Sequence, residues 1–346
     1  MGGAALAACR LLFAQGPLTP QERLAVTIAL AALAVLLCAP AVGSAYTISQ
    51  LRDALLLALF ALSLDYLWGR AHTLVLGQAL FFGVGAYAMA IATTKLGWST
   101  GAGIGLGIAV AVALAISSGY FLLFAGVRLH FFAILTMAMS LIAYQVIVSW
   151  SSVTGGDVGI LGIPPITIDL FGIVYSTADE TAAYYGALAV TSLMLLALWL
   201  ACRGPYGHVL DAIGTNEMRA RTLGYNTSLH LLIAFAVAAA IAALAGALYA
   251  AASGVVAPDL LGVLPSTEVM VWVAIGGRGT LIGPLLATLL VTQFGHAVSS
   301  YSTSLWPLVL GSLFVLVVFA IPDGLAALVR TAWQRLRNRR PQEAIP

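Results

Sequence analysis

The chain has 346 residues, 61% of them apolar and only 8% charged, with a formal net charge of +2. Soluble domains carry roughly 25% charged residues, so this composition excludes a water-covered globular protein and leaves lipid as the solvent for most of the surface. So small a net charge also excludes a general nucleic-acid surface, and no nucleic-acid partner is expected.

Residues 1–23 open with MGGAALAACR, which lacks the charged start of a secretory signal, and read as a cytoplasmic or interfacial lead-in. Crossing about 30 Å of hydrocarbon takes about 20 apolar residues in a helix. Such runs fall at 24–42, 46–67, 73–94, 102–124, 130–150, 182–202, 229–252 and 304–328. A further apolar stretch, 266–298, is broken by Gly276-Gly277-Arg278-Gly279. The expected fold class is all-α and polytopic, with about eight full spans plus a re-entrant hairpin. Its transmembrane domain covers 24–328, and a basic cytoplasmic tail covers 329–346.

Positive charge on short loops marks the cytoplasmic side. Arg203, Arg219 and Arg221 share one loop, 203–228, and Arg330, Arg335, Arg337, Arg339 and Arg340 share the tail. Both are therefore expected inside, with the N-terminus. The segment 151–181 carries Asp157, Asp169, Asp179 and Glu180 and no basic residue, so it is expected outside. Lys95, the only lysine, and Arg52 run against this bias. With 203–228 and the tail on one side, an even number of crossings separates them. The stretch 266–298 must then enter and return on the outer side, with its glycines as the turn. A single tilted span is the competing arrangement and would place the tail outside.

Within 203–228, Pro205 and Gly207 break the preceding span, Asn216 can cap a helix and Gly224 can end it. The residues between, EMRARTL, make about two turns. Glu217 and Arg221 are spaced to pair on one face. Ala220 keeps the middle slim and Leu223 offers an apolar knob. An ordinary solvated loop could carry the same spacing.

Chemistry in the chain itself is not indicated. A phosphate-gripping loop needs GxxxxGK[ST], and Lys95 stands in no such motif. GAGIGLG at 101–107 opens an apolar span and reads as close helix packing. The histidines (His72, His130, His208, His230, His296) and the cysteines (Cys9, Cys38, Cys202) share no metal-ligand spacing. Neither a catalytic nor a metal site is expected, and no cofactor is expected on this chain.

Candidate pathway residues lie in broken or polar membrane segments, because such segments aim backbone dipoles at polar solutes. One group is Gln78, Gly83, Gly85 and Tyr87. Gln78 can serve a solute or glue helices together. A second is Gly276, Gly277 and Arg278, where the arginine either bonds loose carbonyls or meets substrate. A third is Thr154, Gly155, Gly156 and Asp157. Trp150, Trp272 and Trp306 read as interface anchors. The tail segment WQRLRNRR at 333–340 suits anionic lipid headgroups.

Gly207 to Gly224, AFAVAAAIAALAGALYA at 234–250, VMVWVAIGGRGTLIGPLLA at 269–287, LGQALFFGVGAYAMA at 76–90 and VTGGDVGILGIP at 153–164 occur together. In these stretches the chain resembles the membrane permease subunits of ABC importers for branched-chain amino acids and urea, from about residue 50 to 326. The resemblance implies a transmembrane permease that pairs with a second homologous permease subunit. It also implies two cytoplasmic ATPase subunits that hold ATP and Mg, and an external solute-binding protein. It makes 216–224 a coupling helix, with Gly207, Asp211, Asn216, Glu217, Arg219, Ala220, Arg221, Leu223 and Gly224 serving the ATPase contact. The chain departs from that pattern at Gln78, where a histidine or similar residue is usual, and at Gly214, where an arginine is common. Branched-chain or other apolar amino acids are the expected cargo. VWVAIGGRGTLIG and RARTLGYN resemble the urea and short-amide branch, which stays open. A different class, an ion-coupled secondary transporter, would use membrane acids such as Asp53, Asp65 or Glu268. A structural scaffold would have no solute path at all.

Overall fold

A computed structural model describes residues 20–125, 129–170, 173–177, 179–300, 306–320 and 324–326. Most of the expected lead-in and the whole tail lie outside the described residues. The helices are α1 (Pro20–Val42), α2 (Ala45–Arg70), α3 (Gln78–Thr94), α4 (Thr100–Phe124), α5 (Leu129–Ser149) and the single turn α6 (Ser151–Thr154). They continue as α7 (Glu180–Arg203), α8 (Pro205–Thr215), α9 (Glu217–Thr222), α10 (Thr227–Ser253), α11 (Val263–Gly276), α12 (Ile282–Ser299) and α13 (Trp306–Ala320). Seven of the described helices are long and apolar enough to cross a membrane.

Side-chain contacts fix how these helices run. Arg52 meets Glu180 at 3.7 Å near the start of α2 and α7, and Arg70 at the end of α2 meets Asp211 of α8, the helix that directly follows α7, at 3.0 Å. So α2 and α7 are parallel. Arg203 at the end of α7 pairs with Glu22 at 2.9 Å, while Tyr184 near its start donates to the Leu36 carbonyl at 2.7 Å. Hence α1 runs the other way, on the flank of the bundle. One end of the molecule thereby gathers Arg70, Arg203, Arg219 and Arg221. The opposite end carries Arg52, Asp53, Glu180 and the strand pairs.

Trp306 shows that α11 and α12 form a hairpin. Its indole N–H donates to Glu268 early in α11 at 3.0 Å, and its ring lies over Gly295 late in α12. Both arms therefore begin and end toward the same end, with the turn 277–281 at the other. The arms have 14 and 18 residues, about 21 and 27 Å of helix; α11 is short of a core about 30 Å thick, while α12 is one of the seven helices long and apolar enough to cross. The turn reaches the last turns of α2, at the arginine-rich end.

The core is built on close backbone approach. α3, α4 and α10 pack through small residues, with Ala238, Ala239, Ala242 and Ala243 fully buried. Gly246 presses on the Phe82 carbonyl and Gly85 on Ala243, so tightly that a side chain at either glycine would overlap backbone. Without a hydrophobic force between helices in lipid, this van der Waals contact is what holds them together. Large apolar side chains such as Phe121, Ile142 and Leu193 stay exposed on the outer faces.

Two corrections to the sequence reading concern the elements. The span expected at 73–94 is helical only from Gln78, because 71–77 is an irregular stretch leading into a buried helix start. The segment 151–181, which the all-α expectation left without strands, carries short ones. β1 (Ile160–Leu161) pairs antiparallel with β4 (Val255–Val256), Ile160 opposite Val256. β2 (Thr167–Leu170) and β3 (Ile173–Ser176) form a second antiparallel pair, Thr167 opposite Ser176.

Candidate functional site

Two segments without α-helix, the second carrying β4 and a 3-10 turn at Pro258–Leu261, enter the bundle from opposite ends and stop at neighbouring turns of α5. Residues 71–77 come from the arginine-rich end, and Gly77 packs directly on the Thr136 carbonyl. Residues 254–262 come from the other end, and the Leu261 carbonyl accepts the Ser140 hydroxyl at 2.7 Å. Thr136 and Ser140 sit one turn apart on one face. Irregular backbone at membrane depth persists only where protein or a wet cavity covers it. Here Ala71, Thr73, Val75, Val256 and Leu261 are buried.

Several of the expected pathway residues collect at this break. Gln78 opens α3 and is fully buried. Its Nε2 donates to Ser63 Oγ at 2.9 Å and to the Ala238 carbonyl at 3.3 Å, tying α2, α3 and α10 together. Its Oε1 finds no partner among the described residues. Gly83 lies against the Leu261 side chain. The Tyr87 hydroxyl, and that of Ser266 near the start of α11, are also buried without a partner among the described residues. Ser266 escaped the sequence reading, because one serine in an apolar run carries no periodic signal.

The other pathway candidates lie elsewhere. Thr154 donates to the carbonyls of Ile147 at 2.6 Å and Trp150 at 2.9 Å, and accepts the Gly156 N–H at 3.3 Å. With Gly155 it closes a turn at the far end of α5, leaving Asp157 exposed. Gly276 packs on Gly283 where the hairpin arms meet. Gly277 and Arg278 form the tip. The Arg278 guanidinium lies 5.0 Å from the centre of the Trp68 ring. Arg278 is exposed beside the buried Gly277. Of the three anchor tryptophans, Trp150 is exposed, Trp306 binds Glu268, and Trp272 is buried in the bundle, against expectation.

Asp65 is equally unlike a free ion-coupling acid. It is fully buried, and its two oxygens accept the N–H groups of Gly279 at 2.6 Å and Leu281 at 2.9 Å.

At the arginine-rich end, α8 and α9 form a bent two-helix element. Pro205 starts α8, where a missing N–H costs nothing. Leu210 and Ile213 bury its inner face. Gly207 packs on the Cys202 carbonyl, Gly214 on Arg70 and His72, and Asp211 holds Arg70. These residues therefore fasten the element to α2 and α7. The Tyr206 hydroxyl donates to the His230 carbonyl at 3.0 Å. Burial pushes Tyr206 up to about 12, which keeps it a neutral donor.

α9 is capped as expected: Asn216 Oδ1 accepts the Arg219 N–H at 3.0 Å. Glu217 Oε1 accepts Arg221 at 2.7 Å and the Thr227 hydroxyl at 3.0 Å, while Arg221 Nε donates to Thr227 at 2.8 Å. That closed triangle ties α9 to the start of α10. Ala220 is buried against α8, and Gly224 turns the chain with φ 92°. Met218 and Leu223 are 70% and 72% exposed, and Arg219 is exposed beside them. The sequence reading found α9 but missed α8, although Pro205 and the Leu210/Ile213 spacing mark it.

Comparison with known proteins bears on the whole bundle. The family described as branched-chain amino acid transport system / permease component matches residues 46–318. A high-affinity branched-chain amino acid transport system permease protein LivM from Escherichia coli K12 is 29% identical over 293 residues, covering 79% of this chain and 68% of that protein. The LivM protein of Salmonella typhimurium is 28% identical over the same length and shares. An autoinducer 2 import system permease protein LsrC from Photorhabdus laumondii is 31% identical over 137 residues, 38% of this chain and 41% of that protein. No solved structure matches the chain. With a family match that spans most of the bundle, this multi-pass membrane protein belongs to the permease-component family of branched-chain amino acid transport systems.

Proposed function

We propose that the chain is a permease subunit of an ATP-driven ABC importer that carries branched-chain or other apolar amino acids. The observation that carries this reading is the α8–α9 element. It is bolted to α2 by Asp211 and Arg70, yet presents Met218, Leu223 and Arg219 outward at the arginine-rich end. An apolar knob on a rigid base suits a cleft on another protein better than it suits water. The names of the LivM relatives support the amino-acid cargo.

On this reading the arginine-rich end faces the cytoplasm, in keeping with the distribution of basic residues, and the membrane is the cell's inner membrane. Two ATPase subunits with ATP and Mg seat α9, and a second permease subunit completes the pore. An external binding protein docks at the opposite end and sets most of the selectivity. The permease supplies a low-affinity path that opens alternately to either side.

The test is reconstitution of the chain with its genomic-neighbour permease, ATPases and binding protein in proteoliposomes. Uptake of labelled leucine, isoleucine or valine should require ATP and the binding protein. Uptake of urea instead would replace the cargo. Uptake by the chain alone under an ion gradient would overturn the reading.

A further inference from the structure

We propose that Asp65 is a positioning residue that locks the hairpin tip to α2, so that the tip and the α8–α9 element move as one body during transport. This rests on the reading that α8–α9 receives the ATPase stroke.

The tip depends on a group far away in sequence. Leu281, which caps α12, sits at φ 58° and ψ −50°, a region that a branched residue rarely occupies. Within its own segment the Thr280 hydroxyl accepts the Gly283 N–H at 3.2 Å but not those of Gly279 or Leu281. The Asp65 oxygens take the N–H groups of Gly279 and Leu281 instead. A fully buried membrane acid is expensive and is kept where it does a job. Here that job is to hold a strained turn.

The same short stretch of α2 grips both partners. Asp65 binds the tip, Trp68 lies under Arg278, and Gly69 packs on Gly279 with no room for a side chain. The next residue, Arg70, binds Asp211 of α8, and its carbonyl and His72 meet Gly214 of α8. Residues 65–72 thus hold the tip on one side and the coupling element on the other. A push on α8 displaces the last turns of α2, and two backbone hydrogen bonds carry the tip along.

Two measurements test this. In the chain alone, in lipid nanodiscs, hydrogen exchange read by mass spectrometry should rise across 277–283 in Asp65→Asn and in Arg70→Gln. In the reconstituted transporter, the ratio of solute carried to ATP hydrolysed should fall about fivefold or more in Asp65→Asn and in Gly69→Ala, with ATP turnover retained. Exchanging the charges, Arg70→Asp with Asp211→Arg, should recover the ratio relative to either single change. Unchanged exchange across 277–283 in Asp65→Asn overturns the lock. A parallel loss of uptake and ATP turnover at constant ratio marks a merely structural residue and also overturns it. Should the wild-type transporter show no ATP-driven uptake, the proposed function falls, while the exchange experiment still judges the lock.

Discussion

Thr136 and Ser140, one turn apart on α5, each receive a broken segment from a different end of the molecule. Gly77 abuts the Thr136 carbonyl, and Ser140 donates to the Leu261 carbonyl at 2.7 Å. One helix face therefore sets the depth at which both interruptions stop, and with them the starts of α3 and α11. The buried oxygens of Gln78, Tyr87 and Ser266, without partners among the described residues, lie on the two helices that start there.

The first prediction concerns that hinge. Ser140→Ala removes the side-chain donor from a buried carbonyl, and leaving such a group unmade costs about 1–3 kcal/mol. Ser117 offers a control, since its exposed hydroxyl bonds only the Leu114 carbonyl of its own helix. Ser117→Ala should leave stability within about 0.5 kcal/mol of wild type. Denaturant unfolding in detergent, followed by tryptophan fluorescence, compares the two; equal effects would remove the hinge from the account.

Glycine-to-alanine changes should have opposite signs at two sites. At Gly246 a new methyl overlaps the Phe82 carbonyl, so α10 and α3 must part, at a cost of about 1–3 kcal/mol. At Gly105 on α4 the space is open, and alanine is the better helix former by up to about 1 kcal/mol. Thermal unfolding midpoints should drop for Gly246→Ala and hold or rise for Gly105→Ala.

The α9 triangle should matter to coupling more than to stability. Glu217 and Arg221 are partly exposed, and surface pairs of this kind contribute about 0–1 kcal/mol. Glu217→Ala and Arg221→Ala should therefore leave the fold intact. Each breaks one of the two bonds from α9 to Thr227 and blurs the angle at which Met218 and Leu223 are presented. ATP-driven uptake should fall several-fold in either single variant and little further in the double, since both break one unit. Leu223→Glu should weaken copurification of the ATPase subunits; intact copurification with full uptake would disprove the docking role.

Much of this architecture was legible because lipid imposes simple rules. Long apolar runs became helices, and arginines gathered at one end. The glycines at 276–279 marked the turn between α11 and α12, a pair of helices that Trp306 ties between Glu268 and Gly295. The cap at Asn216 and the Glu217–Arg221 pair followed from local spacing. What stayed hidden was contact between distant positions. Asp65 reads as an isolated acid until the chain brings Gly279 beside it. Gln78 offers the same amide whether it lines a path or joins α2 to α10. Trp272 has the composition of an interface anchor, yet the packing of the hairpin buries it. Nor does hydropathy reveal that α3 starts at Gln78, because Thr73–Gly77 is as apolar as the helix that follows.

The base of the hairpin gives the last prediction. Trp306 does two things there: its N–H satisfies Glu268, and its ring covers Gly295. Trp306→Phe keeps much of the ring and deletes the donor, leaving a partly buried carboxyl group without that bond. Glu268→Gln keeps an acceptor oxygen for the indole and removes the acid. Hydrogen bonds to charged groups contribute about 1.5–3 kcal/mol, and stranding one partner costs more than replacing both. The tryptophan variant should therefore be the less stable of the two, and Trp306→Phe with Glu268→Leu should recover part of its loss. A double-mutant cycle on unfolding free energies reads this directly. A coupling energy near zero would mean that α13 holds the hairpin arms through the ring against Gly295 alone.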